Sequence, residues 1–213
     1  MSVSIGLQTI LSKANDMERL VIASNNPGKL REFEKMLAPF GIEVLTQSQL
    51  GISEAEEPHC TFVENALAKA RHVSRESGLP ALADDSGICV EALGGAPGVQ
   101  SARYAGDSPK SDRRNNDKLL HDMQGVTDRR AHYYCVLVLV RHADDPQPLI
   151  AEGEWQGEIG LEERGDGGFG YDPMFWLPQF GKMAAELTHD EKAQISHRAK
   201  ALKMLLEKMK LKQ

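Results

Sequence analysis

The class of fold is decided by residues 20–29, which read Leu20-Val21-Ile22-Ala23-Ser24-Asn25-Asn26-Pro27-Gly28-Lys29. Four apolar residues followed by a cluster of turn residues are typical of a short buried strand that ends at a loop. Leu30, Phe33 and Leu37 then recur at the spacing of one helix face, and an alternating segment at residues 42–44 predicts a second strand. A strand that leads through a helix to another strand indicates an α/β fold.

Downstream of this unit, helix and strand patterns continue to alternate and then give way to paired strands. Thr61 and Glu64 have the spacing of a capping box, which predicts that a second helix begins there. A short strand is expected at residues 81–83 and is predicted to stop at the polar segment 84–87, with extended structure resuming at residues 88–90. The other predicted elements are a helix at residues 115–123, two long strands at residues 133–141 and 149–159, and a helical segment at residues 188–210 with Ser196 as an internal N-cap. The sheet is therefore predicted to be mixed.

The composition restricts the classes of function. The chain has 213 residues and a formal net charge of −6, and an acidic chain argues against broad nucleic-acid binding, which needs a basic face. No apolar stretch is long enough for a signal peptide or a membrane span. Cys60, Cys89 and Cys135 are odd in number and far apart, which is typical of reduced thiols in a cytoplasmic protein. Residues 1–19 are interpreted as an N-terminal extension, and residues 20–213 as a single domain.

The loop after the first strand is a candidate phosphate site. Residues 24–29 lie where backbone N–H groups and a helix N-terminus would face an anion, and Lys29 adds a positive charge. The loop lacks the GxxxxGK[ST] pattern of a Walker A motif. Read alone, it favours an ordinary turn slightly over a phosphate site.

Two adjacent carboxylates, Asp84 and Asp85, are candidates for metal binding and catalysis. Crowded carboxylates are costly unless they are solvated or bound to metal, and Mg²⁺ prefers carboxylates together with waters and phosphate oxygens. Adjacent strand residues point to opposite sides, so we expect one aspartate to bind metal or activate water and the other to support it. A polar turn capped by aspartate explains the same residues equally well.

Other charged residues could complete such a site. Glu56 or Glu57 could supply a further metal ligand, and Lys69 could neutralise phosphate. Each of the three, taken alone, is more typical of a solvated surface residue.

A glycine-rich segment at residues 165–172 is a candidate site for a nucleotide base. Its glycines let the backbone approach a ligand closely, the rings of Phe169 and Tyr171 can stack on a base, and Asp172 can accept a hydrogen bond from a ring N–H. A tight structural loop is a serious alternative. The candidates near later helix ends are Lys192, His197 and Arg198, although His197 by itself favours a structural role.

Six motifs occur along the chain in a fixed order, and together they are far more specific than any one of them. They are Ser24-Asn25-Asn26-Pro27-Gly28-Lys29, Thr61-Phe62-Val63-Glu64-Asn65-Ala66, Ala83-Asp84-Asp85-Ser86-Gly87, Gly94-Gly95-Ala96-Pro97-Gly98-Val99 with Ser101-Ala102-Arg103-Tyr104, Gly168-Phe169-Gly170-Tyr171-Asp172-Pro173, and Ser196-His197-Arg198. In this order they closely resemble the inosine triphosphate pyrophosphatase family, also called XTP/dITP diphosphatases. The resemblance covers roughly residues 20–210.

The resemblance implies an elongated α/β fold in which a strongly twisted mixed β-sheet is flanked by helices and two lobes enclose an active-site cleft. It implies a homodimer whose substrates are purine nucleoside triphosphates. ITP, dITP and XTP would be hydrolysed between the α and β phosphates to the nucleoside monophosphate and pyrophosphate, which removes deaminated purines from the nucleotide pool. The cofactor would be Mg²⁺, with one ion bound per subunit and another carried by the substrate.

The resemblance also implies a role for each matching residue. Asp85 would bind Mg²⁺ and act as the general base, Glu56 would be a second metal contact in preference to Glu57, and Asp84 would orient the site. Phosphate contacts would come from Ser24, Asn25, Asn26, Pro27, Gly28, Lys29, Lys69 and Ser86. The nucleotide, mainly its base, would be held by Phe169, Gly170, Tyr171, Asp172, Lys192, His197 and Arg198.

Two other functions are compatible with parts of the pattern. A phosphatase with an aspartyl-phosphate intermediate requires an Asp-x-Asp pattern after a strand, whereas Asp84 and Asp85 are adjacent. A non-catalytic purine nucleotide sensor would keep the pocket, but the presence of Lys29, Glu56 and Asp85 argues against it.

Overall fold

The structure is a computed structural model that describes residues 17–106 and 110–211. Its strands are β1 (Arg19–Ala23), β2 (Glu43–Thr46), β3 (Ala81–Val90), β4 (Arg130–Val140), β5 (Leu149–Ile159), β6 (Phe175–Leu177) and β7 (Lys182–Met183). Its α-helices are α1 (Pro27–Leu37), α2 (Phe62–Ser77), α3 (Asp112–Asp122), α4 (His189–Ile195) and α5 (His197–Leu211). Residues 1–16, which make up most of the predicted N-terminal extension, lie outside the described residues.

The strands form one mixed sheet in the order β2-β1-β3-β4-β5-β6-β7. β1 pairs in parallel with β2 and with β3, and the helices α1 and α2 make the crossover connections that parallel neighbours require. The later pairings, from β3 with β4 to β6 with β7, are antiparallel. The predicted α/β class and mixed sheet are confirmed. Within the described ranges, no helix combines the length and the apolar character needed to cross a membrane.

Side-chain caps set two of the helix starts as the sequence predicts. The Thr61 hydroxyl accepts a hydrogen bond from the Glu64 N–H at 3.3 Å and begins α2. The Ser196 hydroxyl accepts from the Ala199 N–H at 3.2 Å. Because the Ser196 backbone is extended, the predicted C-terminal helical segment is divided into α4 and α5 at this residue.

The structure corrects the prediction that a strand stops at residues 84–87. β3 continues without interruption, and each of its residues from Ala81 to Val90 is paired with β4. Polar residues favour a turn only when their side chains need water or the local backbone as a partner. Here the two aspartate side chains find lysine and arginine partners from other elements, so the ladder can continue.

The apolar core is divided into clusters that leave a polar gap on β3. One cluster packs α1 and α5 against one face of the sheet and includes Leu82, while another packs α2 against the opposite face. A further cluster lies along the second half of β3 and the first half of β4 and includes Ile88. Alternate strand residues share a face, so Asp84 and Ser86 lie between Leu82 and Ile88. The polar part of β3 is thus placed where two lobes of the core meet.

Candidate active site

A cleft of about 930 Å³ opens at this junction, and its volume is in the range of small-molecule sites. Its lining contains all but one of the residues predicted from the sequence, namely Ser24, Asn25, Asn26, Pro27, Gly28, Lys29, Glu56, Lys69, Asp84, Ser86, Phe169, Gly170, Tyr171, Asp172, Lys192, His197 and Arg198. The exception is Asp85, whose carboxylate contacts the Lys69 ammonium at the wall of the cleft. The fold therefore brings together residues that are distant along the chain.

The loop before α1 uses its own side chain to cap the helix. The Asn26 Oδ1 accepts hydrogen bonds from the N–H groups of Gly28 at 2.9 Å and Lys29 at 3.2 Å, and the Ser24 hydroxyl accepts from the Asn26 N–H at 3.2 Å. The amide of Asn25 donates to Glu54 at 2.9 Å. The backbone donors that the sequence assigns to phosphate are thus already paired, and an anion would use side chains or displace Asn26.

Asp84 is the centre of a buried polar network. One carboxylate oxygen accepts hydrogen bonds from Lys29 and from the Ser86 hydroxyl, and the other accepts from Arg198 at 2.8 Å and from the Cys135 thiol at 3.2 Å. Burial alone would raise the pKa of Asp84, but the charges and hydrogen bonds of Arg198 and Lys29 outweigh it and hold the pKa well below its ordinary value. Asp84 is therefore ionised, and each of its two oxygens accepts two hydrogen bonds.

Arg198 is held at the base of the cleft from several sides. Besides its contact with Asp84, it donates to Glu32 at 2.9 Å and to the Ser86 hydroxyl at 3.1 Å. Burial would lower the pKa of Arg198, yet the charges of Asp84 and Glu32 and the hydrogen bond to Asp84 keep it above its ordinary value. This side chain is 3% exposed, so it ties α5, β3 and α1 together beneath the predicted nucleotide.

Asp85 points to the other side of β3, as strand geometry requires. Its Oδ1 accepts a hydrogen bond from Lys69 at 2.9 Å. Lys69 also donates to Glu57 at 2.7 Å and to the backbone carbonyl of Asp84 at 2.8 Å. An ammonium has three N–H donors, so the three donors of Lys69 are all engaged, and a phosphate contact would require it to release one of these partners.

The second oxygen of Asp85 has no hydrogen-bond partner in the part of the chain that the structure describes. Its Oδ2 is buried and makes no hydrogen bond to any described residue. Burial raises the pKa of Asp85, and the charge and hydrogen bond of Lys69 offset this only in part. An unpaired buried acceptor with a raised pKa is costly, and such groups are characteristic of functional sites.

The carboxylates near Lys69 fit a divalent cation. Within residues 17–106 and 110–211 no group of three or more histidine, cysteine or acidic side chains could hold a metal ion. Mg²⁺ usually takes only one or two carboxylates and completes its shell with waters and substrate phosphates. The Asp85 carboxylate could supply one of them, together with Glu56, which is exposed at the cleft, or Glu57, which shares Lys69 with Asp85.

Glu57 is the more firmly held of the two glutamates. Its second oxygen accepts a hydrogen bond from Arg103 at 2.5 Å. Burial would raise the pKa of Glu57, but Lys69 and Arg103 outweigh it and lower the pKa. Glu57 therefore stays ionised beside Lys69.

The opposite end of the cleft is built around Asp172. Its Oδ2 accepts hydrogen bonds from the Phe169 N–H at 2.9 Å and from the Lys192 ammonium. A Cβ at Gly168 would lie 2.1 Å from this oxygen, and the Gly168 φ of +76° is in the left-handed region, so the turn requires glycine there. The ammonium of Lys192 lies 4.9 Å from the centroid of the Phe169 ring.

The two aromatic rings of this segment have different environments. The side chain of Phe169 is 44% exposed and is free to stack on a planar ligand. Tyr171 is 3% exposed, and its hydroxyl donates to the backbone carbonyl of Ser101 at 2.7 Å. Phe169 is therefore the better placed of the two for stacking on a base, while Tyr171 packs in the core.

His197 is buried at the same end of the cleft. It is 6% exposed, and its Nδ1 has no hydrogen-bond partner among the described residues. Burial and the nearby Arg198 charge hold the pKa of His197 well below its ordinary value. The ring is therefore neutral at physiological pH.

The sequence analysis gave no role to several residues that contact the predicted site, among them Glu32, Arg103, Tyr133 and Cys135. Glu32 lies three positions after Lys29, so helical spacing could have pointed to it. Tyr133 and Cys135 alternate on one face of β4, but alternation alone does not distinguish a site residue from a core residue. Arg103 lies within one of the quoted motifs, and no local pattern indicates that it contacts Glu57.

Comparison with known proteins gives consistent matches over nearly the whole chain. The model of the Ham1 family matches residues 20–208. A dITP/XTP pyrophosphatase of Ralstonia nicotianae is 66% identical over 197 residues, which are 92% of this chain and 98% of that protein. A dITP/XTP pyrophosphatase of Nitrosomonas europaea is 65% identical over 191 residues, 90% of this chain and 94% of that protein.

A solved structure supports the same match at the level of the fold. The structure of a HAM1 protein from Coxiella burnetii superimposes with a TM-score of 0.85 at 44% sequence identity, covering 92% of this chain and 98% of that chain.

Proposed function

The chain belongs to the Ham1 family, and on this premise we propose that it is a nucleoside triphosphate pyrophosphatase. It hydrolyses ITP, dITP and XTP to the nucleoside monophosphate and pyrophosphate. The observation that carries the proposal is the Asp85 carboxylate, which has one unpaired oxygen and a raised pKa beside Lys69 at the wall of a nucleotide-sized cleft. One sheet runs through both lobes, which supports a single catalytic domain over residues 20–213.

Asp85 is the general base of the proposed reaction. Its free Oδ2 takes a proton from the water that attacks phosphorus in line with the leaving pyrophosphate. A carboxylate of raised pKa accepts a proton more readily than an ordinary surface aspartate. Lys69 holds the other oxygen at 2.9 Å, which fixes the direction of the free one.

The negative charge of the triphosphate is met by cations from separate elements. Lys29 comes from α1 and Lys69 from α2, and both line the cleft. Mg²⁺ held by Asp85 and either Glu56 or Glu57 would supply further charge stabilisation at the phosphate oxygens when it is bound. Asp84 accepts a hydrogen bond from Lys29 and so keeps the Lys29 ammonium close to the phosphates.

Base choice follows from hydrogen-bond polarity. Hypoxanthine and xanthine present an acceptor at O6 and a donor at N1, whereas adenine presents the reverse. Lys192 or Arg198 donates to O6, and Asp172 accepts from N1, while the exposed Phe169 ring stacks on the base. A buried polar group left unpaired against adenine can reduce kcat/KM by about 10⁴-fold.

The same family premise supports a homodimer located in the cytoplasm. Burial raises the pKa of the Cys135 thiol well above its ordinary value and that of Cys89 to about 11, which suits thiols that remain reduced. Light scattering that gives the mass of a single chain at the working concentration would contradict the homodimer.

Pyrophosphate release with Mg²⁺ tests the proposed reaction. We expect fast release from ITP, dITP and XTP and little from ATP, because adenine presents the reverse hydrogen-bond polarity. Asp85→Asn should lower kcat by about 10²- to 10⁴-fold, the range of general acid–base catalysis, while Asp144→Asn, at a side chain that is 93% exposed, serves as the control. Orthophosphate as the first product would contradict cleavage between the α and β phosphates, and tight ITP binding without turnover would indicate a sensor.

A further inference from the structure

Tyr133 connects two residues at the base end of the cleft that the sequence assigned separately. It lies on β4, is 8% exposed and contributes to the cleft lining. Its hydroxyl donates to the Oδ1 of Asp172 at 3.2 Å. Its ring stacks on the His197 imidazole, with centroids 4.8 Å apart and planes within 8°. One side chain therefore contacts both groups.

The Asp172 carboxylate depends on Tyr133 for its second oxygen. The Phe169 N–H and Lys192 both donate to Oδ2, so the Tyr133 hydroxyl is the side-chain donor that engages Oδ1. Asp172 is 2% exposed. Removing this donor leaves a charged oxygen unpaired in a buried position, and the carboxylate then rotates towards other donors.

The His197 ring is oriented by stacking instead of by hydrogen bonds. Its Nδ1 has no partner within the described part of the chain. The Tyr133 ring lies nearly parallel to the imidazole, and the centroid of the Trp155 ring lies 6.5 Å from the imidazole centroid. Phe175 supports Tyr133 edge-on at 4.7 Å, so the imidazole is positioned by a packed cluster of aromatic rings.

We propose that Tyr133 is the positioning residue for base recognition, holding Asp172 through its hydroxyl and His197 through its ring, an inference that rests on the proposed function. Burial and the Asp172 charge raise the pKa of Tyr133 well above its ordinary value. The hydroxyl consequently keeps its proton in the physiological range and can donate it to Asp172. No motif of the sequence contains this residue.

The substitution Tyr133→Phe removes the hydroxyl and keeps the ring. We expect KM for ITP and Kd for inosine monophosphate to rise about 10- to 100-fold, the effect of losing one hydrogen bond to a charged group, while kcat changes less than about 2-fold. Inhibition by pyrophosphate, which lacks a base, should be unchanged. Tyr134→Phe is the matched control, because Tyr134 is the next strand residue and packs on the opposite face against Phe62.

A second variant, Tyr133→Leu, removes the ring as well. We expect weaker binding of inosine monophosphate than in Tyr133→Phe, again with unchanged inhibition by pyrophosphate. Equal losses for inosine monophosphate and pyrophosphate, a fall in kcat with unchanged KM, or wild-type constants in both variants would each overturn the inference.

Direct binding separates this inference from the proposed function. Affinity for inosine monophosphate is measured by calorimetry without turnover. One outcome would refute the hydrolase and support the positioning role: the wild-type protein binds inosine monophosphate but does not hydrolyse ITP, and Tyr133→Phe binds inosine monophosphate more weakly. Wild type that hydrolyses ITP with no dependence on Tyr133 would refute the positioning role alone.

Discussion

Two neighbouring aspartates on one strand have opposite electrostatic environments. Asp84 accepts four donors, including two cations, and its pKa is held well below the ordinary value. Asp85 accepts from one cation and keeps one oxygen unpaired, and its pKa is raised. The side to which each residue points therefore decides its role, because the two faces of β3 meet different helices.

The buried charge of Asp84 should be a large contributor to stability. Asp84→Asn leaves Arg198 and Lys29 without their shared anion, which should cost about 3 to 5 kcal/mol in the free energy of unfolding near neutral pH. The folded pKa is lowered, so this contribution is present above the unfolded value of 3.8 and is lost as pH falls through the folded pKa. Urea denaturation should show the two proteins converging in strongly acidic solution.

An exposed carboxylate provides the comparison for Asp84. Asp144→Asn, at a side chain that is 93% exposed, should change stability by less than about 0.5 kcal/mol. Equal losses of stability in Asp84→Asn and Asp144→Asn would contradict the electrostatic argument. So would a difference in stability between wild type and Asp84→Asn that widens as the solution is acidified.

The neighbours of Asp85 should shift its pKa in opposite directions. Burial raises this pKa, Lys69 lowers it, and the Glu57 charge raises it. In metal-free protein, Lys69→Met should therefore raise the Asp85 pKa, and Glu57→Gln should lower it. Carboxyl-carbon NMR titration measures both, and shifts of the same sign in the two variants would contradict the arrangement.

At the scale of elements, the site depends on how closely α5 approaches β5. A Cβ at Gly153 would lie 2.1 Å from the His197 carbonyl oxygen and 2.6 Å from the Ala201 nitrogen. The start of α5, which carries His197 and Arg198, is thus pressed against a strand position that has no side chain. Glycine permits this close packing of helix on sheet.

Adding one methyl group at Gly153 should disturb both stability and binding. Gly153→Ala forces α5 away from β5, which should cost about 1 to 3 kcal/mol by overpacking and raise KM for ITP because His197 and Arg198 move with the helix. Thermal denaturation and steady-state kinetics measure the two effects. Glu152→Ala, an exposed neighbour on the opposite face, is the control, and a stable Gly153→Ala enzyme with wild-type KM would show that α5 is not held in this way.

At the scale of the whole molecule, the cleft forms where two packed lobes share one sheet. The parallel half of the sheet places Lys29 and Lys69 at one end of the cleft, and the antiparallel half brings the segment before β6 to the other. The lobes are held by apolar clusters and buried ion pairs. We therefore expect these side-chain contacts to hold the fold when divalent metal is removed.

Removal of divalent metal should separate activity from folding. Chelation with EDTA should abolish ITP hydrolysis and shift Tm by less than about 4 °C, because about 1 kcal/mol corresponds to 2–4 °C for a chain of this size. Calorimetry and pyrophosphate release on the same sample measure both effects, and restored Mg²⁺ should recover the activity. A collapse of Tm on chelation would show that metal is part of the fold.

The sequence by itself determined the features that depend on short-range pattern. Apolar spacing and capping chemistry act within a few residues. They predict the first strand, the helix starts at Thr61 and Ser196, and the mixed α/β class. The ordered motifs indicated the family, because their order along the chain is itself a property of the sequence. The roles assigned to the individual site residues remain predictions.

Only the tertiary structure decided which groups meet. Lys29 lies 55 positions from Asp84 and Arg198 lies 114 positions from it, and their approach lets β3 continue through residues that locally favour a turn. The pairing of Lys69 with Glu57 and the contact of Tyr133 with Asp172 are equally non-local. Local pattern reports the propensity of a segment, whereas these partners are brought together by strand order and helix packing, which no short segment specifies.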